Sequence, residues 1–165
     1  MENTTFTVTD DLLASQGQRF LNFCIDLLIQ YAVFLGIGAT IDIVADITNN
    51  YSLSNWIGSL SFSELFLYAL FVMFFYYYLT EVYFSRTFAK YFTKTIVVTK
   101  EGSKPNYKKI LARTITRFIP FDPFSFLAIA PRGWHDRFSG TYVVKKQRLI
   151  QKRNLFYNFD EIAKV

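Results

Sequence analysis

The chain has 165 residues, enough for one domain, and 52% of them are apolar with 19% aromatic, a load that a small water-soluble core does not hide. Its net charge of +5 conceals an uneven split, −7 over residues 1–84 and +12 over residues 85–165, which in a membrane protein is a topology signal. The single cysteine, Cys24, lies in an apolar run and excludes a disulfide framework.

The opening residues MENTTFTVTDDLL carry no basic stretch and no small-residue cleavage pattern, so no cleaved signal peptide is expected. Thr9, Asp10 and Asp11 before Leu12, Leu13 and Ala14 predict a short helix on the membrane surface, ending before Gly17. The first long apolar run, Phe20 to about Ile41, is broken by Asn22, Asp26 and Gln30 and is long enough to cross about 30 Å of hydrocarbon. Residues 42–62 hold Asp42, Asp46 and several Asn and Ser but no Lys or Arg, the composition of a non-cytoplasmic loop. A second crossing helix is predicted from Leu65 to Phe84, with Glu81 near its end and Tyr76, Tyr77, Tyr78 and Tyr83 placed toward the headgroups.

Basic residues begin directly after it, at Arg86, Lys90 and Lys94, and put this end and therefore both termini in the cytoplasm by the positive-inside rule. Thr95 to Thr99 is a β-branched run followed by the turn residues 100–103, and Thr141 to Val144 is a second such run. Each needs a partner for its backbone groups, which predicts a small cytoplasmic β-ribbon with Val97 and Val143 close together. Asn106 to Ile119 reads as a helix carrying Lys109, Arg113 and Arg117 on one face. The third apolar stretch, Phe118 to Ala130, is short and holds Pro120, Asp122 and Pro123, so a re-entrant or interfacial element is expected, with a third crossing as the alternative. The expected class is an all-α membrane protein: a single domain over 1–165, a two-helix transmembrane hairpin, amphipathic or re-entrant helices and the ribbon.

Arg19, Asn22, Asp26 and Gln30 recur at i, i+3, i+7 and i+11, which gathers all four on one stripe of the first helix. An aspartate at mid-membrane costs about 2.5 to 3.5 kcal/mol, so Asp26 has to face protein, water or a cation. Either it is the protonatable group of a transport path, or it pairs with an arginine among Arg19, Arg113, Arg117 and Arg137 and fixes helix packing. Gly133-Trp134-His135-Asp136-Arg137 with Ser139-Gly140-Thr141 is a local turn in which Asp136 is expected to meet an arginine. One histidine without a partner ligand gives zinc no support, and no Gly-rich phosphate loop, CxxC, HExxH or paired catalytic carboxylates occur, so neither enzyme nor cofactor is expected. The basic tail lacks aromatic platforms for nucleic acid and suits anionic lipid headgroups.

Gly17-Gln18-Arg19-Phe20 leading to Asp26, Arg86-Thr87-Phe88-Ala89-Lys90 leading to Thr95-Ile96-Val97-Val98, the Arg113 and Arg117 pair, and Trp134-His135-Asp136-Arg137 together resemble the RDD family of bacterial membrane proteins, over about residues 14–146. The resemblance makes Arg19 the family's arginine, Asp26 the aspartate within the first helix and Asp136 the other aspartate. Two departures stand out. Ala89 replaces the glycine of the family's usual Thr-Leu-Gly-Lys, and the third apolar segment is interrupted where the family has an unbroken helix. The resemblance implies a bacterial inner-membrane location and a role in transport, with cation/proton exchange suggested for some members. Arg19, Asp26, Arg113, Arg117 and Asp136, supported by Asn22, Gln30, Lys90, His135 and Arg137, are the expected polar centre. Two crossings cannot enclose a pathway alone, so a homo-oligomer or another membrane protein is expected as partner, and a scaffold or accessory subunit is the competing role.

Overall fold

The computed structural model describes residues 5–120, 122, 125 and 132–162. Helix α1 spans Gln16–Thr48 and helix α3 spans Phe62–Phe84, with a short helix α2, Ser52–Gly58, between them. Each long helix starts earlier than its hydropathy suggests because a capping box sets the start. At α1, Ser15 Oγ accepts from the Gln18 amide at 3.2 Å while Gln18 Oε1 accepts from the Ser15 amide at 3.1 Å. Ser61 and Glu64 form the same reciprocal cap on α3.

Helix α1 also runs past its expected end at Ile41. Asp42 and Asp46, the residues that marked a loop, sit on its last turns and accept hydrogen bonds from Ser54 (2.6 Å) and Tyr51 (3.1 Å). Asn49 then takes the left-handed conformation that stops the helix, with φ 52°.

Burial on α1 is inverted relative to a soluble helix. Arg19, Asn22, Asp26, Gln30 and Ala45 are its buried residues, whereas Leu21, Leu28 and Leu35 are exposed, Leu28 by 67%. Water would reverse that choice, since each exposed leucine forgoes roughly 1.5 to 3 kcal/mol of burial. An apolar solvent removes the penalty and makes the polar stripe the face that must be covered. Both α1 and α3 are long and apolar enough to cross a membrane, at about 50 Å and about 35 Å by helical rise.

The expected ribbon forms. Strand β1, Thr95–Val98, pairs antiparallel with β2, Tyr142–Lys145, and sets Val97 opposite Val143. The N-terminal segment joins it: Leu13 bridges to Val144, and the Ala14 amide donates to the Val143 carbonyl at 2.9 Å. Phe6, Leu12 and Leu13 thereby close a small core with Val98, Val144 and Leu149, the last from helix α7, Lys146–Ile162. Gly102 turns the chain after β1 at φ 72°, where a Cβ would lie 2.9 Å from the Phe6 ring.

The Val97 amide donates outward to the Ser85 carbonyl, so Val97 and Val143 form a non-hydrogen-bonded pair, the closer of the two antiparallel geometries. In a Cys24→Ser background, cysteines at 97 and 143 are expected to oxidise to a disulfide, read as a mobility shift on non-reducing gels. Failure to crosslink would refute the register.

Three short helices complete the fold: α4, Phe88–Phe92, α5, Tyr107–Thr116, and α6, Trp134–Phe138. Helix α4 packs on α1 and β1, while α5 packs on α3 and α6. Asn106 caps α5 by accepting from the Lys109 amide at 2.9 Å. The re-entrant or crossing element expected at 118–130 lies largely outside the described residues.

Candidate functional site

The buried stripe of α1 faces α3, α4 and α6 and makes a continuous polar network with them. Glu81, fully buried near the end of α3, is its hub. Its Oε1 accepts from Lys90 Nζ at 3.0 Å and from Arg117 Nη2 at 3.1 Å, and its Oε2 from Arg113 Nε at 2.8 Å. Arg113 carries the network onward, with Nη1 donating to Asp136 and, at 2.9 Å, to Thr141 Oγ1. Asp136 closes the chain back to α1 by accepting from Arg19 Nη1, and Arg19 Nε reaches the Ala14 carbonyl at 3.4 Å. Burial alone would raise the pKa of Asp136, but the Arg113 and Arg19 guanidinium groups hold it well below the usual carboxylate range.

Asp26 has a different environment. Its Oδ1 accepts from the Tyr76 hydroxyl at 2.6 Å and the Ala89 amide at 3.3 Å, and its Oδ2 from Thr87 Oγ1 at 2.7 Å. All three donors are neutral. Lys90 stands one group away, donating to Thr87 Oγ1 at 3.3 Å while it also holds Glu81. A line therefore runs from Glu81 through Lys90 and Thr87 to Asp26. Among the described residues, Asp26 is the buried carboxylate with no basic side chain in contact, since Glu81 and Asp136 have lysine or arginine partners and Asp122 has His135.

His135 enters from the start of α6. Its amide donates to Asp122 Oδ1 at 2.9 Å and its Nδ1 lies 2.6 Å from Asp122 Oδ2. Burial, then the Arg117 and Arg113 guanidinium groups, pushes the imidazole down to about 4, so the ring is neutral at physiological pH. Nδ1 then carries the proton that Asp122 accepts, and Nε2 keeps its lone pair. Gly133 is required beside it, because a Cβ there would sit 2.9 Å from His135 Cε1.

The network surrounds a cavity of about 70 Å³ whose walls include Arg19, Asp26, Lys90, Arg113, Arg117 and His135. Four cations (Arg19, Lys90, Arg113, Arg117) match four carboxylates (Asp26, Glu81, Asp122, Asp136) in number, with all four cations in contact with Glu81 or Asp136 and with Asp26 and Asp122 held by neutral donors.

The structure thus gathers Arg19, Asn22, Asp26, Lys90, Arg113, Arg117, His135 and Asp136 into one cluster. Asn22 donates to Thr95 at 3.2 Å and accepts from Thr93 at 2.6 Å, tying α1 to the ribbon. Gln30 is buried beside Tyr77, whose ring Arg117 covers at 4.0 Å. Arg137 points outward and stays apart from the cluster. Among the described residues no arginine sits against Asp26; of its four candidate partners Arg19 and Arg113 bind Asp136, Arg117 binds Glu81 and Arg137 is exposed, because Asp136 arrives at the start of α1 while Tyr76 and Thr87 occupy the level of Asp26. Tyr76 and Tyr77 correspondingly turn inward, whereas Tyr83 is exposed. Ala89, in the position where glycine was expected, is fully buried with its amide on Asp26, so the methyl group is accommodated.

Sequence reasoning passed over Glu81, Thr87, Tyr76 and Asp122. A signal existed for Glu81, which is a lone carboxylate in an apolar helix and falls under the same cost argument as Asp26. For Thr87 and Asp122 no local pattern announces the role.

A family model described as the RDD family matches residues 13–140, a span that holds both apolar helices and the whole cluster. No curated protein and no solved structure matches the chain. With most of its length covered, including Arg19, Asp26 and Asp136, this membrane protein belongs to the RDD family.

Proposed function

We propose that the chain is a small transport component of the bacterial inner membrane, multi-pass with both termini cytoplasmic, in which Asp26 takes up and releases a proton coupled to movement of a cation or small solute. The observation that carries this reading is the contrast between the two buried carboxylates of the long apolar helices: Glu81 is held by lysine and arginine, whereas Asp26 is held by neutral donors and stands on the wall of a polar cavity. A carboxylate locked by arginine stays ionised, whereas one held by hydroxyls and an amide is free to change its charge with its surroundings. Lys90, joined to Asp26 through Thr87, offers a neighbouring charge that responds to that change. Oligomerisation or a partner is part of the proposal. Beyond Gln30, α1 buries no polar residue, so two helices of this kind line no path through the other half of the bilayer.

The test is proton-linked sodium and potassium flux in proteoliposomes, comparing wild type with Asp26→Asn. Asparagine keeps the shape and can still accept from Tyr76, so the variant is expected to fold with a thermal midpoint within a few degrees of wild type while flux falls at least tenfold. Equal flux in the variant, or none in wild type, would remove the reading.

A scaffold or accessory role is the second reading. It is favoured by the apolar face left uncovered on α3, where Phe66, Leu67 and Phe71 are exposed and a second membrane protein would dock. Loss of a defined complex on polar substitution of Leu67 and Phe71, with no flux in either form, would support it.

A further inference from the structure

The charge cluster leaves donors unused. Arg19 Nη2, Arg113 Nη2 and Arg117 Nε are buried and find no hydrogen-bond partner among the described residues. Arg19 is 6% exposed and Arg113 0%, and all three arginines line the cavity at the centre of the cluster. An unmet N–H on a buried guanidinium is costly, so three of them on arginines that line one cavity call for an acceptor. A cavity of about 70 Å³ is several times the roughly 10 to 15 Å³ that one water needs, and its wall sets Arg19, Lys90, Arg113 and Arg117 against Asp26 and Asp122, an excess of cationic groups that suits an anion better than a water.

Charge adds a second condition. The four cations are already matched in number by four carboxylates, so a further negative charge in this largely buried cluster calls for a proton to accompany it. His135 is the neutral titratable group on the same wall. Asp122 and Asp136 face it from the acidic side, with Nε2 3.7 Å from Asp136 Oδ1, and Arg113 and Arg117 face it from the basic side. An anion on those arginines would offset the guanidinium repulsion that adds to burial in keeping the ring neutral.

We propose that this cavity is a binding site for one small inorganic anion, held by Arg19, Arg113 and Arg117, and that the anion enters together with one proton that His135 Nε2 accepts. No bond other than that to the proton is made, and the net charge of the cluster stays at zero. The site stands apart from the transport reading, because an anion that binds without being moved satisfies it.

Purified protein exchanged into sodium gluconate is titrated with chloride, nitrate or phosphate at constant ionic strength, with heat of binding and thermal midpoint as readouts. Saturable binding of at least one of these anions, one per chain, is expected. Its dissociation constant should rise as pH goes from 6 to 8, approaching tenfold per pH unit for a single coupled proton. Arg117→Gln removes one donor while leaving Glu81 paired with Lys90 and Arg113, and should weaken binding at least tenfold. Should that variant not fold, the position of bromide in crystals of the wild type decides, with a peak among the three arginines expected. A response no greater than in gluconate, a pH-independent affinity, unchanged binding in a folded Arg117→Gln, or bromide elsewhere would each overturn the proposal and leave water as the occupant.

Discussion

Glu81→Gln is expected to destabilise the protein by about 3 to 5 kcal/mol, the range found when one partner of a buried ion pair is removed. The substitution is nearly isosteric, so packing is preserved and the effect isolates charge. Lys90, Arg113 and Arg117 would lose the carboxylate that all three contact, with Lys90 and Arg113 buried away from water. The measurement is the thermal midpoint in mild detergent, where a fall of more than about 10 °C, or failure to accumulate, is the expected outcome. A shift as small as that of Asp26→Asn would mean that the cluster is not the core of the fold.

Arg113→Lys should rank second, at about 3 kcal/mol, although it keeps the charge. Arginine spans Glu81 and Asp136 because Nε and Nη1 project in different directions from one rigid plane. A single ammonium group satisfies one of those carboxylates and strands the other. The two substitutions act on one contact, so the double variant Glu81→Gln with Arg113→Lys should cost clearly less than the two effects added. Full additivity would contradict a direct pair.

Much of this arrangement was legible in the residues. The stripe of Arg19, Asn22, Asp26 and Gln30 follows from helical period alone, and the cost of a carboxylate in lipid dictates that it be covered. The pairing of Val97 with Val143 follows from two lone β-branched runs in need of hydrogen-bond partners. What the pattern does not contain is who meets whom across the fold. Asp26 meets Tyr76 and Thr87, while Arg19 meets Asp136 far along the chain, because the level at which α4 and α6 dock on α1 is set by tertiary packing. The helix ends were written in the capping boxes at Ser15 and Ser61, but hydropathy places boundaries by composition and skips them. Asp42 and Asp46 misled for the same reason, since acidic residues on an exposed last turn cost a helix little.

Nitroxides placed one at a time along α1 at Leu21, Leu28 and Leu35, in vesicles, report whether each site meets oxygen-rich lipid or a water-soluble nickel chelate. High oxygen and low nickel accessibility at Leu28 and Leu35 is the expected result, with Asn22 and Gln30 shielded from both. Nickel access at Leu28 equal to that of an exposed residue on α7 would show that water surrounds α1, and the inverted burial of its polar stripe would lose its cause.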